Sequence, residues 1–426
     1  MPVVLVFPSC NEPGLEVVES LRHHPAIRLV GASSLDRAVD PGAYLLERHY
    51  YLPMLDSPAF EAALASVIEA ESVSMVVATV DSVVTRFSRL AASWQGVTFI
   101  GPDPSVADVC ASKVQTLSRL GALVPVPRAV EPGARAFAKP DQGSGSRGAR
   151  VLNHDWEWTL AQQEQCVIQE LLPGDEYTVD CLGDPSGELV VSSVRRRSVV
   201  GRGIALASEL VHEPVIDEHV RAIAAELKIA GPWFAQFKRD ADGVARLLEV
   251  NARVGGSMGS TRLAGINIPL MAVFLFAGQR VQVPALNGVR HVVRRLTYAC
   301  DMHVPHHVIW DLDDTLVDRQ GRPMPLSVAH LLDLDNRGHR QWLMTRNVDP
   351  NATLALAHIP LCFEDIIQTT DKESAIEDFL VRNELLPSDV LMVNDSYTER
   401  LVHQARWPEL RVIGPDLLQS LSWEKV

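Results

Sequence analysis

PWFAQFKRDADGVARLLEVNARVGGS, residues 232–257, reads as a β-hairpin. Apolar and aromatic residues fill both arms, and the polar segment DADG between them supplies a turn. Gln236 falls on the first strand, Glu249 and Asn251 on the second. The last two are two residues apart and therefore share a strand face. Oxygen-bearing side chains paired in this way suit a hard cation such as Mg2+, with phosphate oxygens completing its shell. Arg253 adds a donor able to grip an oxyanion at two points. A polar hairpin end is the other reading of the same pair.

Upstream, the strand RAFAKP carries Lys139 to its end and runs into DQGSGSRGARVL, residues 141–152. Gly143, Gly145 and Gly148 alternate there with Ser144 and Ser146. Such a loop can press several backbone N–H groups against phosphate, or it can simply be flexible. The pattern DVCASKVQTLSRLGA predicts one helix bearing Lys113, and VIQELLPGDEYTVDCL predicts two strands, the second bearing Glu176. Residues 1–105 alternate strands (VVLVF, IRLVGAS, SMVVATV, VTFIG) with helices, which predicts a parallel, doubly wound sheet. The first turn, PSCNEPG, lacks the G-x-G-x-x-G dinucleotide fingerprint. Thr79 and Asp81 end the third strand, as substrate contacts or as helix caps.

Taken together, residues 1–300 resemble the ATP-grasp superfamily, nearest its carbamoyl-phosphate-synthetase-like branch. The resemblance implies ATP and Mg2+ as cofactors. It places Lys113, Lys139 and the loop Gly143, Ser144, Gly145 and Ser146 on the phosphates. Gln169, Glu170 and Leu171 would meet adenine, and Glu176 the ribose. Gln236, Glu249 and Asn251 would hold the metal, and Arg253 the transferred phosphate. It also makes RRRSVVGRG (195–203) a mobile arginine-rich loop closing near the phosphates and substrate, for which a surface charge run is the plain alternative.

A second site is written in VIWDLDDTLV, residues 308–317. Continued strand alternation would put Asp311 and Asp313 on one side, where a divalent cation offsets their repulsion and one carboxylate attacks phosphorus. WLMTRN (342–347) ends a strand at Thr345, Lys372 opens an amphipathic helix, and DVLMVNDSYTER (389–400) contributes Asp395 and Glu399. These motifs resemble the haloacid dehalogenase (HAD) superfamily over residues 304–426. The resemblance implies Asp311 as nucleophile and Asp313 as acid/base. Thr345 and Lys372 would face the phosphate, and Asp311, Asp313, Asp395 and Glu399 would serve a second Mg2+. Asn394 stands where glycine is commoner. Thirty-four residues separate Asp311 from Thr345 and 27 separate Thr345 from Lys372, too few for a cap domain.

The expected fold is therefore α/β multidomain. It comprises a Rossmann-like pre-ATP-grasp unit (1–105), an α+β ATP-grasp domain (106–300) and a capless HAD-like Rossmannoid domain (304–426). DMHVPHHV (301–308) reads as the linker into the last of these. A net charge of −14 argues against a nucleic-acid partner. Six scattered cysteines without metal spacing, and the absence of a basic leader, predict a cytoplasmic protein. No apolar run reaches the ~18–20 residues of a membrane span. NIPLMAVFLFAG reads as a buried helix. The resemblance implies small carboxylate and amine substrates, one of them phosphorylated, and dimers are frequent among such relatives. The expected activity is carboxylate–amine ligation through an acylphosphate, coupled to phosphate-ester hydrolysis. A phosphotransferase paired with a phosphatase, and a nucleotide sensor regulating its neighbour, are the alternatives.

Overall fold

A computed structural model describes residues 1–143, 147–201, 203–298, 300 and 304–420, the side chains of 419 and 420 excepted. The chain divides into two compact units, Met1–Leu296 and Thr297–Val426. Residues 1–105 and 106–296 of the segments expected as domains thus fall within one compact unit, and 297–300 belong to the other. A shared core explains it: Val4 and Val6 of the first strand pack with Leu182, Val191, Val254 and Ile268 of the later elements.

The first unit contains three sheets. The parallel one has the strand order His49–Tyr51, Arg28–Ser33, Val3–Phe7, Met75–Ala78 and Thr98–Phe99. Its edge strand HYY is too short to stand out in the sequence. A three-stranded antiparallel sheet orders Arg150–Leu152, Ala136–Pro140 and Cys166–Glu170. A six-stranded antiparallel sheet orders Ala245–Asn251, Gly231–Arg239, Glu176–Gly183, Leu189–Gly201, Ile204–Leu210 and His291–Val293. Helix Pro214–Leu227 covers one face of this last sheet, burying Ile216, Val220 and Ile223 against Val179, Trp233 and Phe237. Burying such side chains contributes roughly 1.5–3 kcal/mol each. The hairpin and the buried helix Ile268–Phe276 stand where the sequence put them.

Two local expectations give way. The helix expected over 108–122 is two helices, Pro104–Ala111 and Lys113–Leu120. Ser112 between them is extended and caps the second, accepting from Gln115 N, while its Oγ donates to Asp141. RRRSVVG is the end of a strand, paired with Ile204–Leu210 up to Gly201 and Ile204. Arg202 lies outside the described residues.

The second unit is a parallel sheet in the order Asp365–Gln368, Arg340–Thr345, His307–Trp310, Val390–Val393 and Arg411–Ile413. Trp310 is wholly buried, and Gln341 satisfies its indole N–H at 2.8 Å. One helix, Pro325–Asn336, lies between Asp311 and Thr345. The shorter helix Pro350–Leu356 and the edge strand lie between Thr345 and Lys372. Among the described residues, no helix is long and apolar enough to cross a membrane.

Candidate functional site

The six-stranded sheet and the three-stranded sheet share the walls of a cavity of about 720 Å3 in the first unit. Strand alternation aims every second residue of the hairpin toward it. Gln236 and Glu249 lie directly opposite each other in the ladder. Phe237 pairs with Leu247, so the second strand carries one extra residue, Leu248, as a bulge. The Leu248 carbonyl accepts from Lys139 Nζ at 2.8 Å. Asn251 follows on the face of Glu249; it is buried, and its Nδ2 has no partner among the described residues.

Lys139 ends its strand almost fully buried. Burial pulls its ammonium from the ordinary 10.5 down to about 8, with Glu249 opposing and Lys113 reinforcing the fall. Lys113 occupies the first position of its helix because Ser112 breaks the chain there. Its Nζ donates to the carbonyls of Asp141 and Gly143, both at 3.1 Å, and stands 4.0 Å from Glu249. Gly143 adopts φ +116°, open to glycine and strained for other residues. Ser144, Gly145 and Ser146 lie outside the described residues.

At the other end of the cavity, Gln169 is buried with its Oε1 unpartnered. The Glu170 carboxylate is held by Arg128 N at 2.8 Å and by Arg246 at 3.2 Å. Glu176 receives Arg197 and, at 3.7 Å, Lys238. Arg253 closes a two-point ion pair with Asp81, so Asp81 meets the cavity through a charge rather than directly. Thr79 lines the wall, donating to Asn11 Oδ1 at 3.1 Å.

Ten of the residues assigned from sequence meet on this one cavity: Lys113, Lys139, Gly143, Gln169, Glu170, Leu171, Glu176, Gln236, Glu249 and Arg253. Asn251 sits behind Glu249 rather than in the wall. Sequence reading missed Lys238 and Asn11 as lining residues, whereas Arg195 and Arg197 belong to the segment 195–203 expected near the phosphates and substrate. Gln236 and Glu249 face each other across one rung, with Gln236 Oε1 also accepting from Arg197 Nη1 at 3.4 Å. The Asn251 atom without a partner among the described residues is Nδ2, a donor and not a metal ligand. The Gln236 and Glu249 oxygens are the pair that fits Mg2+ completed by phosphate.

In the second unit, Lys372 is the hub. Its Nζ lies 2.8 Å from Asp311 Oδ2 and 2.9 Å from Glu399 Oε2, and the lysine is 3% exposed. Burial pushes Asp311 above its ordinary carboxylate value, against the opposing pull of Lys372. Burial pushes Glu399 up as well, yet hydrogen bonds from Lys372 and Asn394 outweigh it and hold it below its ordinary value. Glu399 also accepts from Arg346 at 2.8 Å. Its oxygens are thus engaged with Lys372, Asn394 and Arg346, which fits a counter-charge better than a metal ligand.

The strand stops at Trp310, one residue before Asp311, so alternation does not carry through to Asp313. The chain turns instead, and Asp314 adopts φ +54°. Asp313 is exposed and accepts from Asn347 Nδ2 at 2.9 Å. It lines a second cavity, about 350 Å3, from which Asp311 is absent. Thr345 is buried with its Oγ1 accepting from Asn347 N, and Asp395 N donates to Thr315 Oγ1, both at 3.0 Å. Among the described residues, no three His, Cys, Asp or Glu side chains gather as a metal cage. That holds for both units, so neither the Gln236–Glu249 pair nor the second-unit carboxylates form a metal cage without oxygens from substrate or water. Asn394, where glycine was the commoner residue, organises its turn: Nδ2 donates to Glu399 at 2.8 Å and Oδ1 accepts from Ser396 N at 2.7 Å.

Residues 162–297 match the family described as "ATP-grasp in the biosynthetic pathway with Ter operon". These residues carry an ATP-grasp domain. The fold is similar to the biotin carboxylase domain dimer of Hydrogenobacter thermophilus 2-oxoglutarate carboxylase, in complex with MgADP, ADP and bicarbonate. That likeness has 19% identity and TM-score 0.55, over 68% of this chain and 72% of that one. Campylobacter jejuni biotin carboxylase in complex with β-γ-ATP matches at 18% identity and TM-score 0.55, over 68% of this chain and 74% of that one. Rhizobium etli pyruvate carboxylase with acetyl coenzyme A matches at 20% identity and TM-score 0.55, over 67% of this chain but 29% of its own. At such identities the likeness is one of fold. No curated protein matches the chain in sequence.

Proposed function

We propose that the first unit is an ATP- and Mg2+-dependent ligase that joins a carboxylate to an amine through an acylphosphate. The observation that carries the reading is the convergence of ten separately assigned residues on one cavity. Gln236 and Glu249 would hold Mg2+, which when bound would supply charge that neutralises the phosphates. Lys113 and Lys139 hold the phosphate chain, and Gln169 with its free Oε1 reads the base. Arg253, fixed by Asp81, faces the phosphoryl group in transfer. A substrate carboxylate oxygen attacks the γ-phosphorus and ADP leaves. The amine nitrogen then attacks the acyl carbon, phosphate departs and the nitrogen releases its proton. The bicarbonate in the Hydrogenobacter neighbour supports a carboxyl-type acceptor in this fold.

For the second unit we infer a HAD-type phosphatase acting on substrate or product. The Asp311–Lys372–Glu399 arrangement supports it. Asp311 attacks phosphorus, the alcohol leaves with a proton from water, and a further water cleaves the aspartyl phosphate. Asp313, bonded to Asn347 in the neighbouring cavity, serves as acid/base only by turning back toward Asp311. Lys372 neutralises nucleophile and phosphate.

The test is a product assay by mass spectrometry with Mg-ATP, amino acids and phosphorylated small acids, using wild type beside Asp311→Asn. A condensed product that keeps an extra phosphate only in the variant is the expected result. ATP consumption yielding phosphorylated acid without condensation would replace ligation with phosphotransfer. ATP turnover lost along with Asp311 would instead favour one unit regulating the other.

A further inference from the structure

Arg195 lines the ligase cavity, yet the chemistry above gives it no task. It lies on the strand Leu189–Gly201 two residues from Arg197, so both project from one sheet face. Register divides that face into levels. Arg197 joins Glu176 and Lys238 at the first. Arg195 stands opposite Thr178 at the second, in line with Gln236 and Glu249. Asp180, Phe234 and Asn251 form the third.

The Arg195 guanidinium leans from the second level toward the third. Its Nε and Nη2 donate to Asp180 at 2.8 and 3.2 Å, and Thr261 Oγ1 donates to the same carboxylate at 2.7 Å. The side chain is 2% exposed, and its Nη1 has no partner among the described residues. A buried N–H left unpaired is costly, and a planar guanidinium held at two points aims its third arm rigidly. Arg253 lies 5.3 Å over the Phe234 ring, also at the third level. On the ligase reading the first level, with Glu176, would meet the ribose and the second would hold the cation, so Arg195 and Arg253 stand toward the end of the face away from the nucleoside. Seven lysine and arginine side chains against four glutamates line this cavity, and two of the arginines, Arg195 and Arg253, are each paired with an aspartate, Asp180 and Asp81, outside its lining.

We propose that Arg195 Nη1 is the donor that reads the carboxylate of the acid substrate, a specificity determinant rather than a nucleotide contact. The assignment rests on the ligase reading above and names the residue that selects its acid.

The experiment uses the full chain with Mg-ADP, then sodium acetate as the smallest stable carboxylate probe, against sodium chloride at equal ionic strength. Thermal unfolding and calorimetry are read for wild type, Arg195→Lys and Arg196→Lys. Lysine keeps a cation for Asp180 and so keeps the fold, but it lacks the free arm. Arg196 points the other way, to Asp175 and Glu209. Wild type and Arg196→Lys should show an acetate-specific gain, and Arg195→Lys should bind acetate about ten- to a hundredfold more weakly with an unchanged Mg-ADP Kd. An acetate gain retained in Arg195→Lys, or an equal loss of Mg-ADP affinity, overturns the assignment. Mg-ADP binding without any acetate gain in wild type overturns the assignment alone. No Mg-ADP binding overturns the ligase reading and the assignment with it.

Discussion

Arg253 and Asp81, 172 residues apart, meet in a two-point ion pair, Nε to Oδ1 at 2.8 Å and Nη2 to Oδ2 at 3.0 Å. Both side chains are largely buried, so the pair fixes the arginine on the cavity wall. Asp81→Ala strands that charge, and breaking such a pair costs roughly 3–5 kcal/mol when burial is complete. We expect denaturant unfolding to show about 2–4 kcal/mol lost and ATP turnover to fall at least tenfold. The Mg-ADP Kd should stay within about twofold, since Arg253 acts beyond the nucleoside. A large loss of ADP affinity would assign Arg253 to nucleotide binding.

Lys139 gives the first unit a pH signature. Its ammonium titrates at about 8 in the free protein, and a bound polyphosphate raises that value by favouring the charged form. Between the two values each pH unit weakens binding by up to about tenfold, while below about pH 8 affinity is flat. Calorimetry with Mg-ADP across this range checks it. Lys139→Met should bind more weakly with no inflection near 8, and an unchanged inflection would assign the titration elsewhere.

Asp311 and Lys372 should respond to mutation in opposite directions. A carboxyl raised above its ordinary value destabilises the fold once ionised: stability is lost as pH rises from the unfolded value through the folded one. Asp311→Asn removes that penalty, leaving the second unit at neutral pH as stable or about 1 kcal/mol more stable while ending phosphatase activity. Lys372→Met leaves Asp311 and Glu399 without their shared cation and should cost about 3–5 kcal/mol. Hydrogen exchange of helix Lys372–Arg382 in the full chain reads both.

Asn394→Gly restores the commoner residue and should nonetheless destabilise. It deletes the bond to Glu399 and the acceptor for Ser396 N, about 1–3 kcal/mol together. Lys372 loses the support of its counter-ion, so phosphatase kcat should fall while the KM of the ester changes little. A neutral result would make the Asn394 network incidental.

Much of this fold was open to sequence reading because its signals are local. The hairpin announces itself through alternation and a DADG turn, and Lys139 through a strand ending in a glycine-rich loop. What stayed hidden depends on partners far along the chain. Ser112 breaks an otherwise continuous helical pattern because Asp141 waits 29 residues on. Arg195 reads as part of a mobile loop until the sheet sets it in a strand against Asp180. Asp313 escapes the expected pairing because the strand stops at Trp310, an event that hydrophobic pattern alone does not mark.

Leu248, the extra residue in the hairpin, has a consequence for how this chain can change. Deleting that one codon would give a smoother ladder, yet Lys139 would lose its carbonyl anchor. Glu249 would still stand opposite Gln236 and Asn251 opposite Phe234, because the residues on either side of the bulge already keep regular register. The extra residue therefore serves the lysine and not the cation pair: shortening the strand at 248 would leave the carboxylate in place and loosen the phosphate-side ammonium alone.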